Sequence, residues 1–427
     1  MNTHIKFFNK NFSFLVVFFG LFSSFVIGSA FVNFFVIAAS ILGFYEFFRN
    51  KPLLQLINNL QLSIIIIFFL TIIFSSYFKS HDISDMTLIR FLGLSLFCFF
   101  FKEELRKNIA KILIFLALLS IVVNVDIILQ FFLGANSLGW TKVQGILSTG
   151  FFGKEKISGS FISKISILSL TIMLCTEPNK KIKILTIVTL ILSIITIIIS
   201  TERKAVFDII FFFIIILFII PSKKTLVFSF LFLSIVLFAT LVLPGAKTNL
   251  VQKTFFQFGI NKQNNKINVE NKDCQINNIE NCYTYFGLSK DSSITQNLYY
   301  AHYLTAINIW KDYPIFGAGN KKFRINCSNS KYEIKNNQFS DGRCSTHPHN
   351  IYLAILAEYG IVGFLLFFIL ILKITFNKNN YKKNNPNIYF LLLLIIFLLP
   401  IPNGSVFSTW LGSFFWLALG FSLEKKF

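Results

Sequence analysis

Twelve stretches of this chain are apolar over roughly twenty residues each, on every face rather than along one stripe. They are 12–30, 31–48, 60–78, 86–101, 109–132, 157–176, 182–200, 204–220, 225–243, 350–376, 387–402 and 404–423. A core helix of a soluble protein shows an apolar face and a polar face, so these runs read as transmembrane helices. The expected fold class is therefore an all-α polytopic membrane protein, with one large segment outside the bilayer between spans nine and ten. Three regions follow: spans one to nine (1–243), an extramembrane loop domain (244–349) and spans ten to twelve (350–427). Gly28-Ser29-Ala30 between the first two spans also resembles a signal-peptide cleavage site. Cleavage there leaves the orientation of every later span unchanged.

The distribution of charge orients the spans. The formal net charge is +21 in a chain that is 54% hydrophobic. In a soluble protein this balance points to nucleic acid, but no basic patch here is interleaved with aromatic residues, and no nucleic-acid partner is expected. The basic residues instead crowd alternate short loops: Lys6/Lys10, Arg49/Lys51, Lys102/Arg106/Lys107, Lys180/Lys181/Lys183, Lys223/Lys224, Lys378/Lys382/Lys383 and Lys425/Lys426. With twelve spans these loops share one side, which is the cytoplasm by the positive-inside rule. The expected location is a bacterial inner membrane, with loops 79–85, 133–156, 201–203, 244–349 and 401–404 facing the periplasm.

The 244–349 segment opens at Pro244-Gly245 and holds four of the six cysteines: Cys274, Cys282, Cys327 and Cys344. An even number confined to the outer segment suggests disulfides in an oxidising compartment. Three pairings are open, of which Cys274–Cys282 with Cys327–Cys344 is the most local. No C-x-x-C spacing supports a metal site. Cys98 and Cys175 lie in or at the end of spans. Residues 295–311 have helical potential, which ends at Tyr313-Pro314 and Gly317-Ala318-Gly319.

Ionisable groups inside a bilayer are costly and face a partner or a cavity. Arg90, Asp126, Lys164 and Asp208 all fall near the outer face on this topology, which suggests a polar cavity open to the outside, with structural ion pairing as the alternative. Two short motifs lie at the same depth. The turn Ser200-Thr201-Glu202-Arg203-Lys204-Ala205 sets Arg203 and Lys204 at the N-terminal end of a helix, where unpaired N–H groups favour anions and Arg offers a fork suited to phosphate. The stretch Thr346-His347-Pro348-His349-Asn350 opens the tenth span. A helix N-terminus disfavours imidazolium, so a neutral His349 there can take a proton from a sugar hydroxyl. The H-x-H pair also allows a metal, but no acidic cluster stands near it in sequence. No Walker A loop or Rossmann fingerprint is present, and no cofactor is expected.

These residues resemble the bacterial O-antigen ligase superfamily, which also contains O-antigen polymerases and protein O-oligosaccharyltransferases. His349-Asn350 followed by Gly360-Ile361-Val362-Gly363 is similar to the family's H-[NSQ]-x9-G-x-x-G pattern. Thr201-Glu202-Arg203-Lys204-Ala205 is similar to its S-R-G-A-type turn. Tyr313-Pro314-Ile315-Phe316-Gly317-Ala318-Gly319 is similar to its P-x-x-G-x-G segment, so Gly317, Gly319, Gly360 and Gly363 are expected to be structural. The resemblance implies a metal-independent, inverting glycosyl transfer on the periplasmic face, from a glycan on undecaprenyl diphosphate to a sugar of the lipid A core or another glycan. Arg203 would bind the diphosphate and His349 would activate the acceptor. Arg90, Lys204, Lys164, Asn350, His347 and Arg324 are the further candidates for binding substrate. Two departures stand out. Glu202 and Lys204 replace small residues, and the Arg that the family often carries ahead of the P-x-x-G-x-G segment is absent from 297–302, leaving Arg324 or Lys311 to substitute. A polymerase is the nearest alternative. A polysaccharide-lipid transporter is another, for which broken helices and internal repeats would be the signs.

Overall fold

A computed structural model describes residues 9–80, 87–143, 147–242, 298–334, 340–382 and 385–424. The described residues are helical with no strand; two isolated bridges lie between Ala135 and Leu147. In chain order the helices are α1 (Lys10–Ile27), α2 (Ser29–Arg49), α3 (Pro52–Asn58), α4 (Leu60–Ser80), α5 (Ile89–Phe100), α6 (Lys102–Lys107), α7 (Ile109–Leu133) and α8 (Ser158–Thr176). They continue with α9 (Lys180–Ile199), α10 (Arg203–Ile219), α11 (Lys223–Val242), α12 (Leu298–Asp312), α13 (Phe323–Asn326), α14 (Ile351–Thr375), α15 (Asn387–Phe397) and α16 (Thr409–Ser422).

Each of the twelve apolar runs falls on a helix, and the chain is a multi-pass membrane protein. Among the described residues, seven helices are long and apolar enough to cross a membrane alone: α1, α2, α7, α8, α9, α11 and α14. An eighth arises if α3 and α4, bent by 111°, count as one span. Four of the twelve expected spans, α5, α10, α15 and α16, are shorter, so twelve full spans are not established. Helices α5, α15 and α16 have 12, 11 and 14 residues, or roughly 16–21 Å at 1.5 Å per residue, against a hydrocarbon core of about 30 Å. They are buried along most of their length. They lie inside the bundle, where neighbouring helices stand in for lipid, so they need not match the bilayer thickness. Aromatic packing fills this centre: Phe414 stacks on Phe25 with centroids 4.1 Å apart, and Phe390 stacks on Phe421 at 4.4 Å.

Polar contacts sort into two ends. At one, Lys10 meets Glu46 (3.1 Å), Lys102 meets Asn387 (2.9 Å) and Gln61 meets the Lys373 carbonyl (2.9 Å). These bonds join the start of α1 to the end of α2, the start of α4 to the end of α14, and the starts of α6 and α15 to each other. At the other end lie the starts of α8, α10 and α14 and the end of α7. The starts of α1 and α4 thus lie beside the ends of α2 and α14, so each of these pairs is antiparallel.

The tenth apolar run is not one straight helix. Gly360 has φ +64° and breaks α14 in two. A break leaves backbone groups without helical partners, which is costly in an apolar medium. Residues 314–319 supply the partners. Ile361 and Val362 N–H donate to the carbonyls of Pro314 (2.9 Å) and Ile315 (3.2 Å), while Ala318 and Gly319 N–H donate to those of Ala357 and Glu358 (both 2.8 Å). The two chains touch backbone to backbone. A Cβ on Gly317 would lie 2.2 Å from the Glu358 carbonyl carbon, and one on Gly360 would lie 2.3 Å from the Ile315 oxygen. Both glycines also have positive φ, so the sequence can make this crossing only with glycine at both positions.

Above the break, a small core of Ala306, Ile309, Ala318, Phe323, Cys327, Tyr332 and Ala357 joins α12 and α13 to the first half of α14. Cys327 is bonded to Cys344, with Cα atoms 5.2 Å apart. Cys274 and Cys282 lie outside the described residues. Cys98 and Cys175 are buried thiols.

Candidate active site at the head of the broken helix

The first half of α14 is capped by Asn350, whose side chain accepts from the N–H groups of Tyr352 (3.0 Å) and Leu353 (3.1 Å). His349 precedes it in the left-handed region, with φ +55°, a conformation costing on the order of 1 kcal/mol for a residue with a Cβ. The Asn403 N–H, donating to the His349 carbonyl at 2.8 Å, holds it there. The backbone thus turns the imidazole away from the helix axis and toward α12.

Three α12 residues on one face meet this ring and its cap: Tyr299, His302 and Tyr303, spaced i, i+3, i+4. The Tyr299 ring packs edge-on against His349 with centroids 5.5 Å apart, and His302 lies 5.3 Å away. Tyr303 is hydrogen-bonded to the Asn350 side chain, and burial pushes its phenol up to about 12. The His347 ring lies against His349, tilted by 52° with centroids 4.4 Å apart, and bonds Thr346 through Nδ1. Burial, with the neighbouring His347 and His302, pushes the His349 imidazole down to about 3. His302 and His347 are also lowered, chiefly by burial. The cluster is thus three neutral imidazoles at ordinary pH.

Arg203 comes to the same place from α10. It is partly buried, which pushes its guanidinium below the usual arginine range, and Tyr299, the ring against His349, is the electrostatic neighbour that opposes that shift. The turn that carries it is fixed by Glu202. The Glu202 carboxylate accepts from Gly159 N–H (2.7 Å), Ser160 N–H (3.0 Å) and Ser158 Oγ (3.2 Å), and so caps the N-terminus of α8. Burial raises Glu202, and these N–H bonds oppose the rise. Gly159 permits the approach, since a Cβ there would stand 2.4 Å from Ser200 Oγ. The acidic residue in a position where the family has a small one is therefore an internal cap.

The remaining candidates fall elsewhere. Lys204 pairs with Asp208, and Lys164, 1% exposed, lies 3.7 Å from the same carboxylate and donates to the Ser160 carbonyl (3.0 Å). These three form a buried ion cluster inside the bundle. Asp126 accepts from Ser137 N–H (2.9 Å) and Asn136 Nδ2 (3.2 Å), which anchors the turn after α7. Arg90 donates from Nη1 to Asn33 of α2 (2.9 Å), and its Nε is buried without an acceptor. The expected shared cavity of Arg90, Asp126, Lys164 and Asp208 thus resolves into separate attachments. Asn350 is occupied as a helix cap. Arg324 and Lys311 are exposed, and the position before the P-x-x-G-x-G segment is filled toward His349 by Tyr299 and His302. Gly363 sits under the kink, where a Cβ would meet that of Tyr359 at 2.5 Å. Sequence reading missed His302, Tyr299 and Tyr303; their i, i+3, i+4 spacing was a usable signal once 298–312 was taken as a helix. It also missed Arg343, whose guanidinium donates to the carbonyls of Cys327 (2.9 Å) and Ser340 (2.8 Å). Among the described residues no group of three His, Cys, Asp or Glu side chains has metal-binding geometry.

Fold and site together define a polytopic helical membrane protein with an arginine and a cluster of histidines gathered at one end of the bundle. Residues 188–368 match the O-antigen ligase family model. The match spans Arg203, α12, the 314–319 crossing, His349 and the break at Gly360. No curated protein matches the chain significantly.

Proposed function

We propose that this protein is a glycosyltransferase that moves a glycan from undecaprenyl diphosphate to a hydroxyl of a lipid A-core sugar, at the periplasmic face of the inner membrane. The observation that carries the reading is that Arg203 and His349 share Tyr299 as a neighbour. Arg203 holds the diphosphate, a dianion suited to a planar guanidinium fork. His349, kept neutral, takes the proton of the acceptor hydroxyl as the sugar oxygen attacks the anomeric carbon from the face opposite the diphosphate. The bond to the diphosphate oxygen breaks, its electron pair leaves with the lipid carrier, and the configuration inverts. No metal is needed, because Arg203 neutralises the leaving group.

A polymerase that joins repeat units by the same chemistry is the second reading. Tyr299 and His302, where a further cation is common in the family, favour a different handling of substrate. A transporter is disfavoured despite the broken helix, since the carbonyls and N–H groups at the break are taken up by residues 314–319. The test is transfer by purified protein from a lipid-linked donor. Wild type should produce glycan on lipid A core, and Arg203→Ala and His349→Ala should each lose transfer at least a hundredfold with normal expression. Full transfer by both variants overturns the mechanism, and elongated glycan still on the lipid carrier identifies the polymerase.

A further inference from the structure

His302 is 2% exposed, and its Nδ1 lies 2.9 Å from the Arg343 carbonyl oxygen. A carbonyl only accepts, so Nδ1 carries the proton and Nε2 carries the lone pair. The Arg343 backbone is fixed in turn, because its guanidinium is spent on the carbonyls of Cys327, Ser328, Asn329 and Ser340 and Cys327 is tied to Cys344. This places a buried imidazole of defined tautomer beside His349, with ring centroids 5.3 Å apart and planes 40° apart. Groups around His349 are Tyr299 of α12, Tyr303 of α12 on the adjoining Asn350, His347 of its own segment, the Asn403 backbone, and Arg203 of α10 as a neighbour of Tyr299. None of these near neighbours is an acid. The His349–Asp or His349–Glu pairing that usually orients a catalytic histidine is absent among the described residues, and His302 occupies that place.

We propose that His302 is the positioning residue of His349: its Nε2 accepts the His349 N–H when substrate is bound, which selects the His349 nitrogen that serves as base and steadies the imidazolium once formed. This rests on the reading of His349 as the base. As the acceptor hydroxyl gives its proton to one His349 nitrogen, the proton already on the other nitrogen is held between His349 and His302. No net proton leaves the pair until the diphosphate has departed. Such bonds tighten in the substrate complex. A histidine as strongly depressed as His349 is a weak base unless its cation gains an acceptor of this kind.

Two variants separate this role from a packing role. His302→Asn keeps a donor near the Nδ1 position, and with it the bond to Arg343, but removes the Nε2 acceptor. His302→Gln keeps an acceptor near Nε2 and gives up the bond to Arg343. The proposal expects His302→Asn to lower kcat ten- to a hundredfold with donor KM nearly unchanged, and to move the acid limb of the pH profile down by about one unit. It expects His302→Gln to keep most of both. A second readout needs no transfer: with only five histidines in the chain, nitrogen NMR of labelled protein saturated with lipid-linked donor reports the His349 tautomer, single in wild type and His302→Gln and mixed in His302→Asn. If His302→Asn matches wild type in tautomer and pH limb, or if only His302→Gln is damaged, the proposal falls. If wild type binds the donor and transfers no glycan, the functional reading falls while the tautomer of the donor-bound protein still decides the role of His302.

Discussion

At the scale of single residues, the site is built by charges that neutralise one another and leave a few groups for chemistry. Glu202 serves α8, Asp208 serves Lys164 and Lys204, and Asn350 serves α14. The consequence is that some of the most damaging substitutions will not touch substrate. Asp208→Asn leaves Lys164 buried without a counter-charge, and should cost about 3–5 kcal/mol, read as a large drop in unfolding temperature in detergent. Glu202→Ala removes a helix cap and should cost about 1–2 kcal/mol. It should also reduce transfer, since the same turn positions Arg203; the check is unfolding temperature alongside activity. Arg203 and His349 were legible in the sequence because a basic residue in a tight turn and a histidine at a helix start are local patterns. The partners of Lys164 and the neighbours of His349 were not legible. They depend on which helices meet, and the two histidines that touch, His302 and His349, are far apart in the chain.

At the scale of elements, the helices were readable within a few residues from apolar runs and their polar ends. The break in α14 was not, because nothing about Gly360 alone distinguishes a tolerated glycine from one with positive φ. Its meaning lies in a second glycine motif, 314–319, that the sequence displays separately. Glycine motifs read as two structural features are one joint. Gly360→Ala and Gly317→Ala should therefore be equally severe, each combining a left-handed backbone penalty of about 1–2 kcal/mol with a backbone clash. Gly319→Ala should be milder, since a Cβ there meets only the flexible Lys322 side chain at 3.3 Å. Its φ of +105° still carries a cost. Yields of folded, monodisperse protein for the three variants would test the order, and a Gly317→Ala protein as stable as wild type would contradict the joint.

At the scale of the whole molecule, the two polar ends make a prediction about stability and pH. His349 is pushed down to about 3 in the folded state by burial and by its histidine neighbours, while an unfolded histidine titrates near 6.5. Between those values the unfolded chain binds the extra proton, so stability rises with pH in that window and is lost as pH falls through it, at up to about 1.4 kcal/mol per pH unit for this one group. His302 and His347 are shifted in the same direction, and Glu202, raised by burial, works against them. Unfolding temperature should thus fall between pH 7 and pH 5, and His349→Gln should flatten the fall. The orientation is tested separately: single cysteines introduced at Lys51 and Thr346 should label from opposite sides of sealed vesicles, Thr346 from the periplasmic side. Labelling of both from one side would overturn the topology.

The joint at Gly360 also bears on how the chain is made. Until residues 314–319 dock, Ala357, Glu358, Ile361 and Val362 hold four backbone groups that neither half of α14 can satisfy. A ribosome delivers 314–319 before α14. On the proposed topology the segment docks only after export, so a chain whose loop stays behind should leave these four groups unpaired.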